Sequence, residues 1–370
     1  MATANERRTP NGKKPAGKRV SRQQKEARKK RKVIIFGLEI VLLLVMLVVL
    51  WGVLKGTEVK RIEVNDEELK ENMNETVLEN ETLKGYRNVA LFGVDSTSGA
   101  LEKGTRSDTM IIASINQDTG DVKLVSVYRD SYLNKGNDKY GKANAAYASG
   151  GPKQAMMMLN MNMDLNITDF VTVGFQGLTD TINALGGVWI DVDEEEIKHI
   201  NNYQMCIAEN LKCSYTEVTQ TGYQLLDGLQ ATAYCRIRYT KGDDFMRAQR
   251  QREVIKAIAD QAKKANVSSL TKIANDVFPE IYTSLKLEEI VSLLTEVSMY
   301  EIVDEGGFPD ESMRAVGTIG SAGSCVVPRS LEDNVIWLHE FLFDDAAYVP
   351  SEEVKTYSNK VHSDTSPYLK

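Results

Sequence analysis

The chain has 370 residues and a formal net charge of -7, but this charge is unevenly distributed. Residues 1–32 hold thirteen Lys and Arg against two acids, a net of +11, so the remaining 338 residues carry -18. Residues 33–54 contain one ionisable side chain, Glu39. As a helix this segment is about 33 Å long, enough to cross a hydrocarbon core of about 30 Å. These numbers exclude an ordinary cytosolic protein, and the acidic main part disfavours nucleic-acid binding because it repels phosphate polymers.

The distribution of charge also predicts an orientation. No small-x-small cleavage site occurs in residues 51–55, so an uncleaved anchor is favoured over a signal peptide. The basic residues 1–32 then form a cytoplasmic tail, residues 33–54 a transmembrane helix, and everything after Lys55 lies outside the cell membrane. Residues 55–86 are acid-rich and predict an extracytoplasmic stalk.

Four cysteines become informative in an oxidising compartment. Cys206 and Cys213 flank a short segment and could close a surface loop. Cys235 and Cys325 fall in apolar neighbourhoods, where buried thiols are as compatible with the sequence as a disulfide.

The hydrophobic pattern changes at Asn88 and then alternates between strands and helices. It predicts strands at residues 89–94, 110–115, 122–128, 170–175, 188–192 and 324–327, and helices at residues 152–162, 178–184, 244–265, 287–300 and 331–343. Hairpin chemistry, Asn116 to Gly120, joins the second and third strands. We therefore expect one α/β (α+β) domain over residues 87–350, with a mixed central sheet flanked by helices, and a polar C-terminal tail over 351–370.

The chemistry of a site is limited first by what is missing. The chain has only three histidines, which disfavours a zinc site or a His-based nucleophile system. It also has no P-loop and no dinucleotide fingerprint. Asp95 directly follows one predicted strand and Asp108 precedes the next, with Arg106 beside it. Two carboxylates at one sheet edge could share Mg²⁺ with a substrate phosphate. Ordinary turn chemistry is the alternative explanation for aspartates at strand ends.

Arginine is concentrated in one segment. Of eleven arginines after Lys55, five lie between Arg236 and Arg252. Arg236 and Arg238 point the same way if extended, Arg247, Arg250 and Gln251 share a face if helical, and Asp244 occupies an N-cap position. Guanidinium groups bind phosphate bidentately, which predicts a phosphate or pyrophosphate ligand. The alternative is a solvated face on which these arginines pair with Asp243 and Asp244.

Several motifs together resemble the LytR-CpsA-Psr (LCP) family. They are Asn88 to Ser96, Arg106-Ser107-Asp108-Thr109-Met110, Ser126-Val127-Tyr128-Arg129-Asp130, Lys142 to Ala148 with Gly150-Gly151, Ala184-Leu185-Gly186-Gly187-Val188, and the Arg236 to Arg252 run. They occur in order and at suitable spacing. One departure is Ala145, where the family often has His.

The resemblance implies a membrane-anchored, extracytoplasmic phosphotransferase of a Gram-positive-type cell wall. Such enzymes move a glycopolymer, for example teichoic acid or capsule, from an undecaprenyl-pyrophosphate carrier to a sugar hydroxyl of peptidoglycan. Asp95 and Asp108 would hold Mg²⁺ (or Mn²⁺), and Asp244 would orient the arginines or assist proton removal. The implied catalytic set is Asp95, Asp108, Arg129 and Asp244, and the implied pyrophosphate ligands are Arg106, Arg129, Arg236, Arg238, Arg247 and Gln251.

Two alternative functions use the same residues. One is a lipid pyrophosphatase with water as the acceptor, and the other is a non-catalytic surface regulator that binds an anionic polymer. A lipid-linked donor would also need an apolar tunnel. The Met-rich run from Met156 to Met163 and the residues Phe170, Val173, Phe175 and Leu178 could line it, although core packing is the alternative role for each.

Overall fold

The computed structural model of the protein describes residues 60–62, 67, 70, 73–95, 101–238, 240, 242–266, 269 and 273–369. The strands are β1 (Lys60–Arg61), β2 (Tyr86–Val94), β3 (Ser107–Asn116), β4 (Asp121–Val127), β5 (Tyr132–Asn134), β6 (Tyr140–Lys142), β7 (Asp169–Val173), β8 (Val188–Val192), β9 (Gly222–Leu226), β10 (Ile281–Thr283), β11 (Glu301–Phe308), β12 (Arg314–Ile319) and β13 (Gly323–Pro328). The helices are α1 (Glu75–Glu79), α2 (Glu81–Lys84), α3 (Asn144–Met163), α4 (Phe175–Ala184), α5 (Glu194–Leu211), α6 (Gly228–Tyr234), α7 (Asp243–Ala262), α8 (Leu287–Thr295), α9 (Leu331–Phe343) and α10 (Glu352–Thr365).

A seven-stranded mixed sheet forms the centre, with the strand order β1-β10-β7-β2-β3-β4-β11. Strands β2, β3 and β4 form an antiparallel meander, β7 pairs in parallel with β2, and β11 pairs in parallel with β4. The predicted mixed sheet with flanking helices is confirmed. The predicted strand at 188–192 and helix at 331–343 also match the observed bounds.

Apolar residues cover both faces of this sheet. On β3, Met110 and Ile112 belong to the main core with α3 and α9, while Ile111 and Ala113 belong to a smaller cluster on the opposite face. Successive side chains of a strand point to opposite faces, so a continuous apolar run is what a strand covered on both sides requires.

A second core lies beside the sheet. Helices α4, α5 and α6 and the antiparallel β8–β9 pair contribute to it, and α7 adds Val254 and Ala257. Helix α7 therefore has residues in two environments, because its Ile255 packs against the sheet cluster. This double role places the arginine-rich helix between one face of the central sheet and the second core.

The predicted stalk over 55–86 is wrong for its described residues. Lys60 and Arg61 pair with β10, and Val77 and Leu83 are buried in the main core.

The predicted polar tail over 351–370 is also wrong, because α10 packs on the main body. Ser351 caps this helix, and Val354 and Val361 are fully buried. A helix that buries one narrow stripe has a mostly polar composition, which explains the error.

The predicted cytoplasmic tail at 1–32 and transmembrane helix at 33–54 lie outside the described residues. Among those that are described, no helix combines the length and apolar character needed to cross a bilayer. The four cysteines are free thiols: Cys206 and Cys213 are exposed, while Cys235 and Cys325 are buried in different clusters.

Candidate active site

A cavity of about 320 Å³ opens between the central sheet and the second core. One part of its wall is apolar and is formed by Leu91, Phe92, Val94, Ile111, Val173, Phe175, Leu178, Val254 and Ile255. The other part is charged and is formed by Asp95, Asp108, Arg129, Arg236, Arg238 and Arg247, with Gln251 beside them. The cavity thus combines an apolar chamber with a charged wall that is rich in guanidinium groups.

Asp108, near the start of β3, connects three arginines. Its Oδ1 accepts a hydrogen bond from Arg129 Nη1 at 2.9 Å, and its Oδ2 accepts one from Arg238 Nη2 at 3.2 Å. Its backbone carbonyl accepts a hydrogen bond from Arg247 Nη2 at 3.1 Å. Arginines from three separate segments are therefore held around one residue.

Asp244, in the first turn of α7, contacts the same three arginines from the opposite side. Arg129 Nε donates to Asp244 Oδ2 at 3.0 Å, and Arg238 Nε and Arg247 Nη1 lie 3.7 and 3.4 Å from Oδ1. The N-cap of α7 is Gly242, with φ of 98°, so Asp244 is the second residue of the helix and not the N-cap that the sequence predicts. It orients arginines instead of capping the helix.

The electrostatics of Arg129 and Arg247 differ because their burial differs. For Arg129, burial opposes the charged form, but Asp244 and Asp108 outweigh it and raise the pKa. The side chain of Arg247 is only 5% exposed, and burial lowers its pKa to about 10, although Asp244 counteracts this. The buried Nε of Arg247 has no hydrogen-bond partner. Arg247 thus retains a donor that a ligand oxygen could satisfy.

Arg236 and Asp95 form a looser pair on another side of the cavity. Arg236 Nη2 lies 3.8 Å from Asp95 Oδ2, and 44% of the Asp95 side chain is exposed. The guanidinium of Arg236 stacks on the Phe175 ring at 4.3 Å and faces the Tyr203 ring at 5.3 Å. Sequence reasoning missed this cation–π contact for Tyr203, which is far away in sequence and belongs to no motif.

Not every predicted ligand reaches the cavity. Arg106 is exposed and is not among the residues of the cavity wall. Gln251 does line the cavity, and its amide donates to the Cys235 carbonyl at 3.4 Å. The predicted shared face of Arg247, Arg250 and Gln251 is wrong for Arg250, which pairs with buried Glu196 at 2.6 Å on the other side of α7. Arg252 is also structural, because it donates to Ser126 Oγ at 2.8 Å.

The apolar wall corrects the predicted tunnel. Val173, Phe175 and Leu178 line the cavity, whereas Phe170 is fully buried in the main core. Of the Met-rich run, Met156, Met158 and Met163 are also fully buried in that core. The run lies on α3, across the sheet from the cavity, so core packing is its role.

A metal would have to bind through oxygen. Within the described ranges, no three His, Cys, Asp or Glu side chains are grouped in a way that could hold an ion. Asp95 and Asp108 line the same cavity, and Asp95 has no hydrogen bond from an arginine, although Asp108 accepts two. Mg²⁺ commonly takes one or two carboxylates and fills its shell with water and substrate phosphate. The two residues fit that pattern only together with a ligand.

Comparison with known proteins gives consistent matches. A model of the LytR_cpsA_psr family matches residues 51–318. The polyisoprenyl-teichoic acid–peptidoglycan teichoic acid transferase TagU of Enterococcus faecalis is 33% identical over 276 residues, which cover 71% of this chain and 81% of that protein.

Solved structures share the fold. The protein gbs0355 of Streptococcus agalactiae superposes with a TM-score of 0.60 at 27% identity, covering 77% of this chain and 94% of that one. The LytR-CPS2A-psr family protein YwtF (TagT), whose structure holds an octaprenyl pyrophosphate lipid, superposes with a TM-score of 0.53 at 22% identity, covering 73% and 94%.

Proposed function

The chain belongs to the LytR-CpsA-Psr family, and on this premise we propose that it transfers a teichoic-acid-type glycopolymer from a polyisoprenyl-pyrophosphate carrier to peptidoglycan. The observation that carries the proposal is the junction of an apolar chamber with a cluster of four arginines in one cavity. A prenyl chain requires an apolar chamber, and a pyrophosphate requires a cluster of cationic donors such as these arginines. Relatives named as teichoic acid transferases, and a structural relative with an octaprenyl pyrophosphate, support the same substrate class.

The residues of the cavity suit phosphoryl transfer. A sugar hydroxyl of the acceptor attacks the phosphorus that carries the polymer, and the bond from that phosphorus to the lipid phosphate breaks. The lipid monophosphate leaves with the bonding electrons, and the hydroxyl proton passes to a carboxylate. Arg129, Arg238 and Arg247 converge on one region and would neutralise the charge that develops there. Asp244 is the candidate for the proton because it touches all three.

Asp95 and Asp108 would hold Mg²⁺ or Mn²⁺ when the pyrophosphate is bound, and that ion would supply further charge neutralisation. The exposed Asp95 carboxylate can turn toward an ion at little cost. Asp108 would have to share its oxygens between the ion and its arginine partners.

We also propose that residues 33–54 anchor the protein in the cell membrane as a single pass, with residues 1–32 in the cytoplasm. The exported domain would then meet its lipid carrier at the outer surface. The stretch of apolar residues and its basic flank support this topology.

A reconstituted transfer assay tests the function. The full chain in detergent is given a lipid-linked glycopolymer, with and without peptidoglycan oligosaccharide. We expect covalent transfer to the oligosaccharide, and Arg238→Ala should reduce donor affinity by at least tenfold, since it removes a charge-assisted contact of about 1.5–3 kcal/mol. Arg329→Ala is the matched control, because Arg329 is exposed and far from the cavity in sequence.

The two alternatives give different results in the same assay. Release of lipid monophosphate that does not require the oligosaccharide would make the protein a pyrophosphatase. Tight donor binding without any turnover would make it a regulator that binds anionic polymer.

A further inference from the structure

A second groove lies on the other side of α7 from the arginine cavity. Its volume is about 720 Å³, which falls in the range of about 300–1,000 Å³ that is typical of small-molecule sites. It is lined by the antiparallel β8–β9 pair, the start of α5, the end of α6, and α7 with the residues that follow it. The lining residues are Trp189, Ile190, Asp191, Asp193, Glu196, Tyr223, Tyr234, Met246, Arg250, Glu253, Lys256, Ala257, Asp260, Gln261, Lys263 and Lys264.

Two stacked aromatic rings form one wall of the groove. Trp189 and Tyr223 lie diagonally across the β8–β9 pair, with ring centroids 5.3 Å apart and planes inclined by 25°. They are 42% and 71% exposed. Solvent-facing strand positions are normally polar, so two adjacent aromatic rings left uncovered indicate a binding surface.

The remaining wall is polar. It carries five carboxylates against four cationic groups, and of these Glu196 and Arg250 neutralise each other in the floor, with side chains 7% and 4% exposed. Tyr234 donates to Glu253 at 2.7 Å and fixes that carboxylate at the rim. A protein surface that covered this wall would have to desolvate several charges of both signs, which is costly unless each is paired.

We propose that this groove binds the neutral N-acetylhexosamine backbone of a glycan strand, the chemical class of the acceptor. One face of a pyranose ring is apolar and fits a flat pair of aromatic rings, while its hydroxyl and amide groups hydrogen-bond to both carboxylates and ammonium groups. The slight excess of carboxylates disfavours a polyphosphate polymer by like-charge repulsion. The role as an acceptor site, but not the binding itself, rests on the proposed transferase function.

The position of the groove fits this role. Helix α7 presents Arg247 and Gln251 to the arginine cavity and Met246 and Glu253 to the groove. The two sites are therefore separated by about one helix diameter, roughly 10–12 Å. A glycan held on the β8–β9 pair could extend around α7 toward the cavity.

Binding of the N-acetylglucosamine tetramer to the full chain in detergent tests the proposal, measured by tryptophan fluorescence and calorimetry. We expect Trp189→Ala and Tyr223→Ala each to weaken binding about tenfold, because both rings are exposed and their loss should leave the fold intact. Tyr368→Ala, which removes an aromatic ring that is 51% exposed elsewhere, should bind as the parent does. Arg238→Ala should keep tetramer binding even where it loses transfer, so the two proposals can fail separately.

Three outcomes would overturn the assignment. They are unchanged tetramer affinity in both aromatic variants, absence of binding to the parent chain, and displacement of the tetramer by polyglycerol phosphate at equal concentration. If light scattering showed instead that Trp189→Ala dissociates an oligomer without changing tetramer affinity, the groove would be a self-association surface and the proposal would be wrong.

Discussion

Substituting Asp108 by Asn separates two roles that this residue could have. The side chain is 29% exposed and accepts hydrogen bonds from Arg129 at 2.9 Å and Arg238 at 3.2 Å. Asn keeps one acceptor oxygen but loses the charge, and it turns an amide nitrogen toward one guanidinium. Hydrogen bonds to charged groups contribute about 1.5–3 kcal/mol each, so we expect a net loss of about 2 kcal/mol, or roughly 30-fold in turnover.

Turnover alone cannot identify a metal ligand, since loosened arginines would also slow the reaction. Asp244→Asn supplies the matched control, because Asp244 contacts the same Arg129 and Arg238 but is not a proposed metal ligand. Both variants should lose turnover, Asp244→Asn also because Asp244 is the proposed proton acceptor, but only Asp108→Asn should change the metal dependence.

The deciding assay is Mn²⁺ binding in the presence of a polyprenyl pyrophosphate, followed by electron paramagnetic resonance, which does not depend on turnover. We expect Asp108→Asn to raise the half-saturating Mn²⁺ concentration at least tenfold, and Asp244→Asn to change it by no more than about twofold. If Asp108→Asn binds Mn²⁺ as the parent does, Asp108 is an arginine anchor and the metal assignment is refuted.

Three further predictions concern stability and the cavity. His339 Nε2 donates to the Met163 carbonyl, its Nδ1 is buried without a partner, and burial lowers its pKa from 6.5 to about 4. The unfolded chain therefore takes up a proton that the folded chain does not, and stability should fall by up to roughly 3 kcal/mol as the pH drops from about 6.5 to about 4. Urea unfolding across this pH range should show that His339→Gln reduces the change of the free energy of unfolding with pH, whereas substitution of the exposed His362 by Gln does not. In the parent, affinity for polyprenyl phosphates should rise with chain length, because each buried CH₂ contributes about 0.8 kcal/mol. Leu178→Trp should fill the apolar chamber and remove this dependence on chain length. An unchanged dependence in the variant would contradict the assigned lining. Met158→Ala should lower the free energy of unfolding by about 2–5 kcal/mol without changing lipid affinity. Weaker lipid binding in this variant would show that the methionines line the lipid site after all.

The sequence predicted the central elements well because their patterns are strong. Continuous apolar runs identified β2, β3 and β4, and the helix at 331–343 matched its Ser330 cap. The predicted helix at 152–162 corresponds to the second of two segments of α3, because Gly151 interrupts the helix with a φ of 71° and a close approach to the Glu102 carbonyl that only glycine tolerates. The sequence did not predict the first segment, which starts at Asn144. The Gly151-Pro152 pair thus marks a real boundary between the two helical segments.

The site could be predicted only as a set of residue types. Motif spacing selected Arg247 and Gln251, which do line the cavity, but it could not assign Arg250 to the opposite side of α7. The orientation of Arg250 depends on its ion pair with Glu196, which is a tertiary contact with an acid that is distant in sequence. The contact of Tyr203 with Arg236 has the same character, since no local pattern connects the two residues.

The charge of the cavity gives a physical reason for a divalent cation. The cavity wall and its ion pairs contain four arginines and three aspartates. They are Arg129, Arg236, Arg238 and Arg247, with Asp95, Asp108 and Asp244. The resting site is therefore close to neutral, inside a domain that is strongly acidic. A pyrophosphate diester brings two negative charges into a partly buried place, where uncompensated charge is expensive. If the aspartates released their arginines, their partly buried carboxylates would lose their partners, whereas the proposed cation would enter together with the ligand. The second route keeps every charge paired, and the exposed Asp95 is the side chain best able to meet such an ion.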